Sequence, residues 1–331
     1  KRSMSVFDNI ILATDSYKVS HYRQYPPDTE YVYSYFESRG GKFPSICFFG
    51  LQYFIKRYLC GPVVTQEKIN EAADILANHM GPDHFNVEGW THILKAHGGR
   101  LPIVIKAVPE GSVVPVKNVL FTMVNTDPKC YWLTNYLETL LVQVWYPMTV
   151  CTSSRAQKML IRDFVEKTGG DDAAIGGVNL GLHDFGYRGV SSVESAALGG
   201  AAHLVHFWGT DTMAAMICIK HYYGGGQVPL NPGSPLPVPG ISIPAAEHST
   251  ITSWGRENEL DAFRNMLVQY PTGLVAVVSD SYDVFNACKN YWGKELKDLI
   301  IKRGETGGRL VVRPDSGDPP VIVVQLLDIL G

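Results

Sequence analysis

Hydrophobic and polar positions follow two different rhythms along this chain. Up to about residue 178 the pattern is mixed. Residues 31–39, YVYSYFESR, set aromatics against small or polar side chains with a period of two and predict a strand. LQYFIKRYL (51–59) has helical spacing, and PIVIKAVPEGSVVPV (102–116) reads as two short strands around a turn. Thr126-Asp127-Pro128 supplies a helix start, with proline near the first turn. The apolar run CYWLTNYLETLLVQVW then predicts a helix up to Pro147, and a second helix is expected over roughly 150–167.

From about residue 180 an apolar stretch, a polar hinge and a helical pattern recur five times. LHDFGYRG leads into SSVESAALGGAAHL, and VHFWGTD into TMAAMICIKHYY. ISIPAAEH leads into STITSWGRENELDAFRNML, LVAVVSD into SYDVFNACKNYW, and LVVRPDSGD into PPVIVVQLLDIL. The hinges centre near residues 184, 211, 248, 280 and 315, about 30 residues apart, which is one βα unit each. Ser191 with Glu194 has capping-box spacing, and Asp318 precedes Pro319 at an expected first turn. The pattern predicts an α/β fold: a mixed domain over 1–178, then a parallel sheet with covering helices over 179–331, with barrel closure compatible. In such sheets functional side chains sit at the C-terminal ends of strands. Asp184, Arg188, Asp211, His248, Asp280, Arg313 and Asp315 all fall there. The Gly- and Pro-rich stretch 222–240 reads as a surface connector, the other reading being a gate over a site.

Composition narrows the function classes. The 331 residues give room for about two domains, and 45% hydrophobic with 18% charged residues is ordinary for a globular protein. A net charge of −3 excludes the basic footprint of a nucleic-acid binder but leaves room for a local basic pocket. The six cysteines contain no C-x-x-C pair, a spacing that fits neither a zinc site nor a disulfide framework, so free thiols in a reducing cytoplasm are expected. No uncharged apolar run reaches the roughly 18 residues of a membrane span, and the N-terminal residues carry no signal-peptide pattern, so a soluble cytoplasmic protein is expected.

The hinges carry the chemistry. Arg188, just ahead of a predicted helix start, suits an anionic phosphate, or else pairs with Asp184 to fix the turn. Arg313 repeats that logic in RPDSGD, where Asp315 would bind a hydroxyl or a metal-held pyrophosphate, or the two form a rigid turn. Dinucleotide-binding, P-loop and nucleophile-elbow signatures are absent. The acids Asp184, Asp211, Asp280 and Asp315 also suit a barrel glycosidase, but a neutral sugar has no need of the two arginines. His248 reads as metal ligand, general base, phosphoryl-accepting nucleophile or core histidine.

Taken together, ATDSYKVSHYRQYPPDTEYVYSYFESR, HDFGYRGVSS, GTDT, PAAEHSTITSWG, VVSDSYD and RPDSG resemble the nicotinamide phosphoribosyltransferase family, of the type II phosphoribosyltransferase architecture, over essentially the whole chain and in the same order. The resemblance implies a homodimer with shared active sites that joins nicotinamide to 5-phosphoribosyl-1-pyrophosphate, with Mg²⁺, and with ATP as a coupled co-substrate. Carried over position by position, it implies Phe185 stacked on the pyridine ring, with Tyr17 of the other subunit on the opposite face. It places Asp211 near the carboxamide, Arg188, Arg313 and Arg39 on phosphates, and Ser242 among the substrate-binding residues. Asp280 and Asp315 fall in the ribosyl and Mg²⁺-pyrophosphate region, and His248 matches the histidine phosphorylated by ATP. The chain departs from the family in a short GGKFPSICF segment, where vertebrate members carry a longer charged insertion, and in a longer connector before His248. The resemblance further implies a C-terminal third beyond Gly331, with a glycine-rich phosphate loop that completes the barrel. A nicotinate-using transferase and an inactive, truncated binding protein are the alternatives.

Overall fold

Why the chain folds where it does is clearest at its caps. In the computed structural model, which describes residues 8–171, 176–224 and 239–331, Thr65 caps the helix Gln66–Met80 by accepting from the Lys68 amide, and Gly81 ends it at φ 101°. Its apolar positions fall on one face and bury Ile69, Ala72 and Leu76. Asn86 likewise caps Val87–His97, which buries Trp90 and Ile93 and closes on Gly98.

The chain forms two compact units, Lys1–Ile241 and Ser242–Gly331. In the first, strands β1 (Tyr33–Glu37), β3 (Ile103–Ala107) and β5 (Val119–Asn125) make an antiparallel sheet in the order β1-β5-β3, while β2 (Ser45–Cys47) pairs antiparallel with β4 (Val113–Pro115). The two strands expected in 102–116 are both present, but they join different sheets instead of pairing with each other. The core beneath them gathers Phe48, Phe54, Trp90, Leu120 and Leu137.

The predicted single helix before Pro147 is a correction. The segment breaks into Leu133–Tyr136 and Glu138–Val142, and the following helix is Trp145–Lys167, with Pro147 inside its first turn. Proline lacks the amide that a first turn leaves unbonded, so it opens this helix instead of closing the preceding one. Its ring also explains Gly50: at φ +111°, a Cβ there would lie 2.4 Å from Pro147 Cγ. A second correction concerns Val193–His203, which is capped by Ser192, whose hydroxyl accepts from the Ser195 amide. Glu194 is drawn away by the hydroxyls of Tyr53 and Tyr58, both 2.7 Å from its Oε1.

Of the five predicted parallel strands, two form a ladder: β6 (Leu274–Val278) and β7 (Arg309–Arg313) pair in parallel in the second unit. The other three segments make single parallel bridges, Asp184↔Thr210 and Gly209↔Ile241 in the first unit and Ala245↔Ala276 in the second. The ladder strands LVAVV and RLVVR are β-branched, whereas the bridging segments carry Gly209, Gly240 and Pro244. Helices Val193–His203 and Met213–Tyr222 follow the bridges of the first unit, and Glu259–Gln269, Lys297–Glu305 and Pro319–Leu330 accompany the ladder of the second. Asp318 stands at the N-cap position of the last of these, ahead of Pro319 in the first turn as its Asp-Pro sequence predicts, without a side-chain capping bond. The second core stacks Phe263 on Trp292, centroids 4.4 Å apart, against Val275 and Val277. Most of the 222–240 connector lies outside the described residues. Among the described residues no helix is long and apolar enough to cross a membrane.

Candidate functional site

Each unit assembles its own cluster of predicted site residues. In the first, the bridge between Asp184 and Thr210 sets the frame: the Asp184 amide donates to the Gly209 carbonyl at 3.1 Å and the Asp211 amide to the Asp184 carbonyl at 2.7 Å. The Asp184 carboxylate accepts from the Gly186 amide (2.9 Å) and the Thr210 hydroxyl (3.2 Å), so it shapes the turn itself. The alternative pairing of Arg188 with Asp184 does not occur; Arg188 is exposed on the 3₁₀ turn Tyr187–Gly189. Asp211 instead meets His183, whose Nε2 lies 3.0 Å from its Oδ1. Gly209 makes room for that imidazole, since a Cβ there would lie 2.4 Å from His183 Nδ1.

His183 is the functional residue that sequence reasoning missed. Its signal was the period of two in His183-Asp184-Phe185, which puts residues 183 and 185 on one side of an extended segment. Their rings are near-parallel, 27° apart with centroids at 6.4 Å. Phe185 is 72% exposed, and with Asp184, Tyr187, Tyr146 and His203 it lines a cavity of about 500 Å³. Tyr17 and Arg39 do not line this cavity. Tyr17, also exposed, stands edge-on to His21 at 4.8 Å. Arg39 borders a separate cavity of about 770 Å³ with Tyr33, Tyr35 and Trp145.

In the second unit, residues 244–246 run beside β6 through bonds between Pro244 and Ala246 and the two polar groups of Ala276. Ser242 opens this segment and is exposed. Glu247 and Thr250 then form a reciprocal capping box, which places His248 at the first position of the helix His248–Thr252. Its Nε2 is 3.0 Å from Oδ1 of Asp280, two residues beyond β6, and its Nδ1 is 3.7 Å from Oδ2 of Asp315, two residues beyond β7. The parallel ladder carries the two acids out at the same end, and the Ser279 amide ties to the Arg313 carbonyl at 3.0 Å. Oδ2 of Asp280 also accepts from the Asp315 amide (2.9 Å) and the Ser316 hydroxyl (2.5 Å). Burial of Asp280, whose side chain is 4% exposed, works to raise its pKa. Ser316, the Asp315 amide and His248 together outweigh that and hold it below the usual carboxylate range.

Three donors therefore occupy the oxygens of Asp280, whereas the Asp315 side chain is 52% exposed. Two further groups point to a ligand. Among the described residues, Arg313 Nε and Ser281 Oγ are buried with no protein partner, a cost that an incoming anion would relieve. The expected set His248, Asp280, Arg313 and Asp315 is thus assembled around one end of β6 and β7, with Ser281 and Ser316 added to it by the turns.

Two family models match the chain, and the second runs across the boundary between the two units. The family model described as nicotinamide phosphoribosyltransferase, N-terminal domain, matches residues 9–105, and that of the nicotinate phosphoribosyltransferase family matches residues 180–330. The nicotinamide phosphoribosyltransferase of Xanthomonas campestris pv. campestris is 52% identical over 99% of this chain and 66% of its own length. That of Acinetobacter baylyi is 36% identical over 97% and 64%, and that of Mycoplasma pneumoniae 31% over 95% and 68%. The chain spans about two thirds of the length of these curated relatives. Human nicotinic acid phosphoribosyltransferase superposes with a TM-score of 0.55 at 17% identity, covering 96% of this chain and 63% of that one, a likeness of fold alone.

Proposed function

Because the chain belongs to the nicotinamide phosphoribosyltransferase family, we propose that it joins nicotinamide to 5-phosphoribosyl-1-pyrophosphate in the salvage of NAD. The pyridine nitrogen lone pair forms the bond to the ribosyl carbon, and pyrophosphate leaves with the electrons of the broken carbon–oxygen bond. The observation that carries this reading is the unsatisfied, buried Nε of Arg313 at the end of β7, two residues before the half-exposed carboxylate of Asp315, a cation and an acid suited to a magnesium-bearing diphosphate. Magnesium, when bound, supplies charge neutralisation at the phosphates, and Asp315, whose side chain is half exposed, is the acid that would hold it.

Phe185 offers an exposed ring for stacking on the pyridine, and Tyr17, also exposed, is suited to cover the other face from a second copy of the chain. Arg188, exposed and outside any ion pair with Asp184, is a second phosphate ligand, and Arg39 and Ser242 are assigned to the substrate side on the family resemblance. Asp211, held in place by His183, accepts an amide N–H but repels a carboxylate, which favours nicotinamide over nicotinate. The acid-specific alternative has one observation in its favour, the match of residues 180–330 to the nicotinate family model, and the pairing at Asp211 weighs against it.

His248 is assigned as the residue that accepts the γ-phosphoryl group of ATP. With Asp280 accepting from Nε2–H, the lone pair lies on Nδ1, which attacks phosphorus as ADP departs. The test of the whole reading is chromatography of the chain incubated with nicotinamide, phosphoribosyl pyrophosphate and Mg²⁺. Nicotinamide mononucleotide and pyrophosphate are expected in equal amounts; consumption of nicotinamide without phosphoribosyl pyrophosphate would overturn it.

A further inference from the structure

Two of the six cysteines meet a histidine in the first unit, at a cluster separate from the side chains that surround Phe185 and Asp211. Cys47 ends β2, Cys151 lies within the helix Trp145–Lys167, and His206 follows the end of Val193–His203. The Sγ, Sγ and ring nitrogen atoms all lie within 4.8 Å of one another, and Cys151 Sγ is 3.4 Å from His206 Nε2. We infer that Cys47, Cys151 and His206 form a binding site for a zinc-class divalent ion, with the fourth position left to water or a small anion.

The Cys151–His206 spacing of 3.4 Å fits that chemistry, and the other two pairs lie within 4.8 Å. Metal–sulfur and metal–nitrogen bonds of about 2.3 and 2.0 Å in a tetrahedron require about 3.5 Å between sulfur and nitrogen and about 3.8 Å between sulfurs. The backbone is already fixed by other bonds, so the donors are preorganised. The Cys47 amide donates to the Thr152 hydroxyl (2.9 Å), which donates to the Met148 carbonyl (2.8 Å). The His206 carbonyl accepts from Lys158 Nζ at 2.6 Å. Both thiols are buried, whereas His206 is partly exposed and gives an ion a way in. Cys47 also lines a cavity of about 210 Å³ with Phe43, Thr152 and Arg155, where a fourth ligand would find a guanidinium.

Thiolates select soft or borderline ions over magnesium or calcium. Binding joins two sulfur ligands and one imidazole nitrogen to the ion and releases the remaining thiol protons to solvent. A second group, His92, Asp127 and Cys130, is less suited, because Asp127 Oδ2 already holds the Nε2 atoms of His92 and His97, each at 2.7 Å. The ion would tie β2, the long helix and the turn leading toward Asp211 into one body.

The test is metal titration of the reduced, chelator-treated full chain with Zn²⁺ and Co²⁺. One tightly bound equivalent per chain is expected, and the cobalt form should show thiolate-to-cobalt charge transfer with intense tetrahedral d–d bands. Cys151→Ser and His206→Ala should each weaken binding by roughly tenfold or more, while Cys60→Ser and His92→Ala leave it unchanged. Absence of the charge-transfer band in the unaltered chain overturns the assignment whatever the variants do. So does its survival in a folded Cys151→Ser chain, or its loss in His92→Ala.

Discussion

His248 Nε2 stands 3.0 Å from Oδ1 of Asp280, a carboxylate whose other oxygen binds the Asp315 amide and the Ser316 hydroxyl. The same acid therefore orients the imidazole and ties together the turns that follow β6 and β7. Position and chemistry are coupled in one residue, so substitutions here separate folding from phosphoryl transfer only if both are measured.

His248→Ala is expected to abolish ATP stimulation while basal transfer of the ribosyl group survives. Asp280→Asn should lower the yield of phosphohistidine, and Asp280→Ala should in addition destabilise the second unit by about 1–3 kcal/mol, because three donors lose their acceptor. Intact-protein mass spectrometry after incubation with ATP, paired with thermal melts, checks both. Undiminished ATP stimulation in His248→Ala removes the histidine from the mechanism.

Asp211→Asn should relax the choice between amide and acid. The carboxylate that repels nicotinate is gone, and His183 remains to donate to the new side-chain oxygen. The ratio of kcat/KM for nicotinamide over nicotinate is expected to fall by roughly tenfold or more. An unchanged ratio leaves the discrimination to other residues.

Arg313→Ala is expected to raise KM for phosphoribosyl pyrophosphate by roughly 10–100-fold, the loss of one charge-assisted hydrogen-bonding group. Arg313→Lys should recover only part of it, since ammonium cannot reproduce the planar fork. Initial-rate kinetics at saturating nicotinamide measure this. If KM for nicotinamide moves instead, Arg313 faces the other substrate.

Glu259 gives a pH dependence outside the site. It is 3% exposed, and among the described residues its Oε1 has no partner. Burial, opposed by Arg256 and assisted by Asp283, raises its pKa to about 7. A carboxylate raised on folding binds its proton more tightly in the folded state, so stability is fullest below the unfolded value near 4.3 and falls as pH rises towards about 7. Glu259→Gln should flatten that slope and raise stability at pH 8, by on the order of 3 kcal/mol at most. Urea melts from pH 5 to pH 8 decide it; parallel curves for the two proteins contradict the assignment.

How much of this was legible beforehand differs from residue to residue. β6 and β7 were plain, because LVAVV and LVV are β-branched runs ended by acids. The bridging segments around Asp184, Gly209 and Ala245 have the same rhythm, but glycine and proline shorten their ladders to one pair each. The break after Tyr136 was hidden, since apolar residues continue through it and the turn is decided by packing around Trp132 and Leu137. The hinges identified His248, Asp280 and Asp315 one at a time. Their mutual distances depend on how β6 and β7 pair, a register that no local pattern encodes. His183 was overlooked because its partner, Asp211, lies 28 residues on and meets it only through the Asp184–Thr210 bridge. The meeting of Cys47 with Cys151 likewise needed β2 laid beside the long helix, so cysteine spacing alone argued against a zinc site.

The most direct test of the central claim is a competition in one vessel. The full chain is supplied with equimolar nicotinamide and nicotinate, limiting phosphoribosyl pyrophosphate, Mg²⁺ and ATP, and the two mononucleotides are quantified. A nicotinamide phosphoribosyltransferase whose Asp211 selects the amide yields nicotinamide mononucleotide in at least roughly tenfold excess. Nicotinate mononucleotide as the main product, or neither mononucleotide, contradicts the account.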